Sequence, residues 1–117
     1  MKKLGLLLLL TLSFFSCRQN IDKPKKPAVF LEQKAMGNLL TEIHLSDAIA
    51  QEKANGNLDL EKNLSQQGLN QILQNHKLRK TSFDSLYAYY IKQPELMNEM
   101  YQHIITNLSK KQAELTH

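Results

Sequence analysis

The sequence has few of the residues that disulfide frameworks, multi-cysteine metal sites and β-rich folds require. Its 117 residues include one cysteine, no tryptophan and four glycines. A single cysteine excludes an intrachain disulfide and any metal site built from several cysteines. The shortage of β-branched residues, together with the missing tryptophan, disfavours a β-rich fold. A chain of this length has room for one small domain.

Positive charge is also scarce where a nucleic-acid-binding domain would need it. The formal net charge is +4, but Lys2, Lys3 and four further basic residues lie within the first 26 positions. From residue 29 onward, nine basic side chains face ten acidic ones. Nucleic-acid binding depends on clustered cations that displace counterions from phosphates. We therefore expect no nucleic-acid partner.

The N-terminus carries the strongest signal in the sequence. Lys2 and Lys3 precede an apolar run at residues 4–15, and Ser16 and Cys17 follow it. A membrane-spanning helix needs about 20 apolar residues, so this run is too short to span and has the flanks of a signal peptide. We predict that residues 1–16 are a removable export signal.

The segment LSFFSC at residues 12–17 resembles a bacterial lipobox. That resemblance implies transfer of diacylglycerol to the Cys17 sulfur, cleavage before Cys17, and acylation of the new amino group. Two or more acyl chains hold a protein firmly in a bilayer, whereas one chain binds only marginally. Membrane lipid is thus the first expected partner. The alternative is a secreted protein whose Cys17 is an incidental thiol.

Residues 17–28 are interpreted as the lipidated cysteine and a flexible tether. Pro24 and Pro27 disfavour a helix, and the neighbouring lysines keep the segment solvated. Residues 18–28, fully extended, would reach roughly 35 Å. The tether would let a domain stand off the bilayer and search for a partner within that radius.

Residues 29–117 are predicted to form an all-α domain, a small antiparallel bundle of three to four helices. Apolar residues recur at steps of three and four. The pattern predicts a first helix over about residues 31–54 and a second over about 59–76, with a stop at residues 55–57.

Capping residues place the remaining two helices. Thr81 or Ser82 is the expected N-cap of a third helix, and Pro94 suits the first turn of a fourth. Gly68 lies inside the second helix, where it costs roughly 1 kcal/mol relative to alanine.

Several short motifs are similar to those of small Bacteroidota lipoproteins catalogued as domain-of-unknown-function family 4296. The resemblance implies the fold and an envelope location, and the family carries no established activity. Lys77 stands where the turn after the second helix often has glycine or asparagine. The motifs that carry the resemblance are EIHL at 42–45, DA at 47–48, FDSL at 83–86, YY at 89–90, PEL at 94–96 and Tyr101.

Candidate catalytic and metal-binding groups are few. His44 and Asp47 share one helix face and could form an acid/base pair, yet the sequence shows no nucleophile motif beside them. Met97, Met100 and His103 could hold Cu(I), but methionine at helical spacing is also a common core residue, and we favour core packing. We therefore predict no catalytic residue, no metal site, no cofactor and no enzyme activity.

An interaction surface is the better-supported expectation. Tyrosine is a common anchor of protein interfaces because it gives a large contact area at low entropic cost. At each tyrosine position the alternative is a core residue whose hydroxyl reaches the surface. Ser85 matches the D-S-L pattern that resembles O-glycosylation sites of exported Bacteroidota proteins. The residues expected to form the surface are His44, Asp47, Tyr87, Tyr89 and Tyr101.

Together these features predict a lipid-anchored helical interaction module of the cell envelope, with an unidentified envelope protein as its partner. Residues 18–22 lack a run of acids that resembles a surface-export signal in this group, so a periplasm-facing anchor is favoured over the cell surface. Two alternatives remain open. One is an envelope enzyme or enzyme subunit using His44 and Asp47. The other is a chaperone-like bundle that binds apolar ligands among Tyr87, Tyr89, Met97 and Tyr101.

Overall fold

The computed structural model describes residues 22–116, which form four α-helices and no strand. The predicted all-α bundle is therefore confirmed. Within this part of the chain, no helix is both long enough and apolar enough to cross a bilayer. The predicted signal peptide and Cys17 lie outside the described residues. The helices are α1 (Gln33–Ala54), α2 (Leu58–Asn75), α3 (Lys80–Ile91) and α4 (Pro94–Leu115).

A tight turn at residues 55–57 reverses the chain between α1 and α2, at the predicted stop. Asn55 and Gly56 have φ angles of 47° and 87°, in the left-handed region that asparagine and glycine tolerate best. The Asn57 side chain accepts a hydrogen bond from the Leu60 backbone N–H at 3.0 Å and caps α2. The reversal lays α2 antiparallel against α1.

The C-terminus of α2 forms a Schellman turn whose left-handed residue is Lys77. The φ angle of Lys77 is 54°. Its backbone N–H donates to the Gln74 carbonyl at 3.0 Å, and the Leu78 N–H donates to the Leu73 carbonyl at 2.8 Å. These are the two hydrogen bonds of the Schellman motif, which usually has glycine at this position. Leu73 and Leu78 both join the hydrophobic core, which holds the turn closed.

The start of α3 differs from the prediction. Arg79 is the N-cap residue, and its side chain makes no capping hydrogen bond. Thr81 and Ser82 lie inside the first turn, so their assignment as N-cap was wrong. The reason is the preceding Schellman turn, since docking of Leu78 in the core leaves only Arg79 before the helical conformation begins.

A short corner joins α3 to α4. Pro94 is the first residue of α4, as predicted. The first N–H groups of a helix have no acceptor within the helix, so proline, which has no N–H, loses no hydrogen bond there. The backbone N–H of Gln93 donates to the Tyr90 carbonyl at 2.9 Å, and its side-chain amide donates to the Tyr89 carbonyl at 3.2 Å. Gln93 therefore ties the end of α3 to the start of α4 without capping α4 through its side chain.

The hydrophobic core lies where α1, α3 and α4 meet the second half of α2. The predicted core role of Met97 and Met100 is confirmed, because both side chains are buried. α4 runs along α1 in the same direction, since Gln33 reaches the Leu96 carbonyl at the start of α4 and contacts further along both helices follow the same order, with Asn38 beside His103. Buried core residues are Met36, Leu39, Leu40, Leu73, Phe83, Leu86, Tyr90, Met97, Met100 and Ile104.

The residues just before α1 pack on α3. The Phe30 ring meets the Tyr89 ring edge-on, with centroids 5.4 Å apart, and stacks on the Tyr90 ring at 6.1 Å. The Tyr90 hydroxyl donates a hydrogen bond to the Leu31 carbonyl at 2.6 Å. The Lys26 ammonium lies 4.6 Å from the centre of the Phe30 ring, within cation–π range. These contacts fix the point at which the chain enters the helical domain.

Candidate functional site

A small groove opens where α1, α3 and α4 come together. We call it the tyrosine groove, and it holds about 170 Å³. Three of the five residues predicted to form an interaction surface line it, namely His44, Tyr87 and Tyr101. The lining residues are Leu40, Ile43, His44, Phe83, Tyr87 and Tyr101.

The tyrosine groove has an apolar floor and an aromatic rim. Leu40 and Phe83 are buried beneath it, and the Tyr87 ring stacks on the Phe83 ring with centroids 6.1 Å apart. Tyr101 stands at the edge, 43% exposed. Ile105, one turn further along α4, is 55% exposed, so apolar surface continues beyond the rim.

The two rim tyrosines lie beside each other, and Tyr87 stays neutral. Burial raises the pKa of Tyr87 above its ordinary value of 10.0, and the neighbouring Tyr101 hydroxyl raises that pKa further. A neutral phenol offers one hydroxyl donor and a large apolar ring. The rim therefore presents an uncharged aromatic surface that keeps some hydrogen-bonding capacity.

His44 and Asp47 are placed differently from each other. Both side chains are exposed on α1, but only His44 lines the tyrosine groove. Among residues 22–116, no hydrogen bond joins His44 to Asp47. The groove lining contains no serine, threonine or cysteine that could act as a nucleophile. The structure therefore gives His44 a place at the rim of the groove and leaves Asp47 outside it.

Tyr89 lies on the opposite side of α3 from the tyrosine groove. It follows Tyr87 by two residues, which is a rotation of about 200° around a helix. Its ring packs edge-on against both Phe30 and Tyr90. The structure thus separates the predicted surface into a groove with His44, Tyr87 and Tyr101, and an aromatic contact with Tyr89 at its centre.

A polar cluster that the sequence analysis did not single out joins α1 to α4. The Asn38 Oδ1 atom lies 3.0 Å from His103 Nε2 and accepts a hydrogen bond from Asn107 Nδ2 at 3.2 Å. The helices approach closely here. A Cβ atom on Gly37 would lie only 3.0 Å from the His103 ring, so the contact depends on glycine at this position. A glycine inside a predicted helix is the sequence signal for such a contact. The cluster sets how α4 lies on α1.

A second cleft, of about 390 Å³, lies beside this polar cluster. It mixes two lysines with two glutamates, so its charges favour neither an anionic nor a cationic ligand. Glu42 at its edge is already paired, since both carboxylate oxygens lie 3.0–3.1 Å from His76 Nε2. The lining residues are Asn38, Thr41, Glu42, Asn107, Lys110, Lys111 and Glu114.

The remaining predicted positions lie outside both clefts. Ser85 is exposed on α3, and its hydroxyl donates to the Thr81 carbonyl at 3.0 Å. His103 belongs to the polar cluster, whereas Met97 and Met100 are buried in the core. In the part of the chain that the structure covers, no three His, Cys, Asp or Glu side chains are arranged to hold a metal ion.

A comparison with known protein families identifies the family of this chain. The family described as Domain of unknown function (DUF4296) matches residues 27–114. The chain belongs to the DUF4296 family. The match confirms the family that the sequence motifs indicated, and the matched region includes the tyrosine groove and the Phe30 contact. No curated protein and no solved structure matches the chain.

Proposed function

We propose that this DUF4296 protein is a lipoprotein of the cell envelope that works as a non-catalytic interaction module. Cys17 carries the acyl chains, and the anchored domain faces the periplasm. The tyrosine groove binds a side chain of an envelope protein. Support for the anchor comes from the short apolar run at residues 4–15 and the lipobox-like segment that ends at Cys17.

The tyrosine groove is the observation that carries the docking proposal. A cavity of about 150 Å³ admits a benzene-sized group. At about 170 Å³ the groove therefore has room for one large apolar side chain. Tyrosines at the rim of an apolar pocket are typical anchors of protein interfaces. Ile105 extends the apolar surface beyond the groove, which suits a partner helix that lays further apolar residues along α4.

Anchoring would strengthen such a weak contact. Confinement of both partners to one membrane converts binding into an event at high effective concentration, without any additional contact. A groove that holds a single side chain is then sufficient for a stable association at the membrane, although it would give little affinity in dilute solution.

The size and chemistry of the groove favour this function over the two alternatives. Small-molecule sites typically hold about 300–1,000 Å³, well above the volume of the tyrosine groove, which is about 170 Å³. The four residues expected to bind apolar cargo are divided, which disfavours that alternative: Tyr87 and Tyr101 line the groove, Tyr89 lies across α3, and Met97 is buried. Catalysis through His44 and Asp47 lacks the converging polar groups it would need.

Site-specific photo-crosslinking in intact cells tests the proposal. A photoreactive phenylalanine replaces Tyr101 at the groove, and the matched control replaces Leu60 on α2. These two side chains are equally exposed, at 43% and 42%, and only Tyr101 lines the groove. We expect position 101 to form a discrete crosslinked product that position 60 does not form.

Further variants test whether the crosslinked product depends on the anchor and on the groove. Cys17→Ala removes the proposed acylation site, so the crosslinked product should fall sharply in that background. A substitution of His44 by alanine at the groove should weaken the product, while the same substitution of Asp47 should leave it unchanged. Equal products from positions 101 and 60, or none from either, would count against docking through the groove.

A further inference from the structure

The chain enters the helical domain at one end of α1, away from the tyrosine groove. Phe30 packs against Tyr89 and Tyr90, whereas Tyr87 lines the groove. Around the axis of α3, Tyr87 is about 200° from Tyr89 and about 60° from Tyr90, so the Phe30 contact lies roughly a quarter-turn from the groove. Phe30 also precedes α1, whereas His44 of the groove lies eleven residues after the first residue of α1, about 16 Å along that helix. An anchored N-terminus would therefore hold the domain at an end and a flank that the groove does not share.

The side around Phe30 has the composition of a surface that meets lipid headgroups. We call residues 22–30 the exit face. It holds three lysines and one acid, Asp22, and it exposes Val29 at 42%. The next acid along the chain is Glu32, so positive charge stays in excess within residues 22–30. Lysines beside an exposed apolar residue suit an anionic membrane interface, where lysine binds headgroups and a valine enters their apolar boundary.

We propose that the exit face lies against an anionic lipid surface, so that the tyrosine groove points away from the bilayer. The inference rests on the proposed function, because it requires acyl chains on Cys17. It deepens that function by giving the groove a direction: the partner approaches from the aqueous side of the anchored domain rather than from within the membrane.

Chain length supports the proposal. Val29 lies twelve positions after Cys17, and the chain between them spans at most roughly 40 Å when fully extended. The exit face consequently never leaves the neighbourhood of the bilayer. Lys26 is already held over the Phe30 ring at 4.6 Å, so its charge is fixed to the folded domain and not to a freely moving tether. Contact between that charge and anionic headgroups would orient the whole domain.

The single cysteine of the chain makes a direct test possible. In the lipidated protein the Cys17 sulfur is blocked, so an introduced cysteine is the one free thiol. Val29→Cys reports from the exit face and Ile105→Cys from beside the groove. Both are exposed apolar residues, at 42% and 55%, so neither substitution disturbs the core. Circular dichroism confirms that each variant folds before labelling.

Each labelled lipoprotein is reconstituted into vesicles of phosphatidylglycerol and phosphatidylethanolamine, and into vesicles of phosphatidylcholine. An environment-sensitive fluorophore on the cysteine is then exposed to a headgroup-attached quencher. We expect strong quenching at position 29 and little at position 105, with the difference larger in the anionic vesicles. Quenching that is equal at the two positions, or stronger at 105, would overturn the proposal.

A charge variant separates attraction to lipid from simple proximity to the anchor. Replacing Lys23, Lys25 and Lys26 by glutamine keeps the tether length and removes the positive charge. Quenching at position 29 should then become the same in anionic and in phosphatidylcholine vesicles. A preference for anionic vesicles that survives these substitutions would show that the lysines do not orient the domain, and the proposal would fail.

Flotation of the vesicles distinguishes failure of this inference from failure of the proposed function. Protein that does not float with the vesicles lacks the anchor, and both proposals then fail. Protein that floats but shows no quenching at position 29 keeps its anchor and has a freely turning domain. In that case the proposed orientation is wrong, and docking through the tyrosine groove is decided separately by the crosslinking experiment.

Discussion

Gly68 of α2 and Ser46 of α1 lie so close that the interface between their helices depends on the missing side chain. A Cβ atom on Gly68 would come within 2.0 Å of the Ser46 hydroxyl oxygen and 3.4 Å of its Cβ. Glycine inside a helix costs about 1 kcal/mol relative to alanine. The close approach of the two helices is the structural reason that α2 tolerates this cost.

Substitution of Gly68 by alanine should therefore stabilise the protein less than helix propensity alone would predict. Alanine gains about 1 kcal/mol over glycine inside a helix, but the Ser46 hydroxyl must rotate out of the space that the new Cβ atom takes, and this offsets the gain. In a Ser46→Ala background the same substitution should stabilise the protein more, since no hydroxyl then has to move. Urea unfolding followed by circular dichroism measures both effects. Additive free energies in the double-mutant cycle would contradict the contact.

Lys77→Gly should stabilise the protein. A left-handed conformation costs a residue with a side chain roughly 1–2 kcal/mol, and glycine avoids this cost. We expect a gain of about 1 kcal/mol in the free energy of unfolding, because the greater freedom of glycine in the unfolded chain offsets part of it. Lys77→Ala is the control, since it removes the charge and keeps the strain. Equal gains from both variants would assign the effect to charge.

Tyr90→Phe should lower the free energy of unfolding by about 1 kcal/mol. The substitution removes the hydrogen bond from the Tyr90 hydroxyl to the Leu31 carbonyl, and loss of one such bond typically costs this amount. Tyr89→Phe is the matched control, because no hydrogen bond of the Tyr89 hydroxyl is found within residues 22–116. If the two variants lose equal stability, the Leu31 contact does not hold the entry segment in place.

Stability should fall at alkaline pH through Tyr87, which is half-buried at the groove. Burial raises the pKa of Tyr87 above 10.0, and Tyr101 raises it further. Because the unfolded tyrosine ionises first, the stability from this group is complete below pH 10 and is lost as pH rises through the higher folded pKa. Urea midpoints at about pH 8 and about pH 10.5 should differ more for wild type than for Tyr87→Phe. Parallel changes in the two proteins would contradict the raised pKa.

Helix periodicity and turn residues were enough to predict the helical fold. The stop at residues 55–57 and the position of Pro94 are set by local backbone preferences, and the structure has both where the sequence places them. The predicted bounds of α1 and α2 differ from the observed ones by one or two residues, which is the usual uncertainty at helix ends. Local rules succeed here because each of these signals acts within a few residues.

Features that depend on contacts between distant segments were not predictable. Phe30 lies in a segment without periodicity, and nothing local indicates that it packs on Tyr89, 59 positions later. The start of α3 was misplaced for a similar reason, since docking of Leu78 in the core overrides the capping preference of Thr81 and Ser82. Tertiary packing decides both cases.

The candidate site was predicted in part. Helical geometry alone turns Tyr89 away from Tyr90, but it does not show which tyrosines share a groove with His44. That depends on how α4 crosses α1, which the contacts around Gly37 and Asn38 determine. The sequence provides five candidate surface residues, and the packing of α4 brings three of them together in the groove, namely His44, Tyr87 and Tyr101.

Intact-mass spectrometry of the mature protein from its native envelope tests the central claim most directly. The account predicts a chain that begins at Cys17, with a diacylglycerol group on its sulfur and a fatty acyl group on its amino terminus. A product that keeps residues 1–16, or one whose Cys17 carries a free thiol, would contradict the anchor and with it the proposed function.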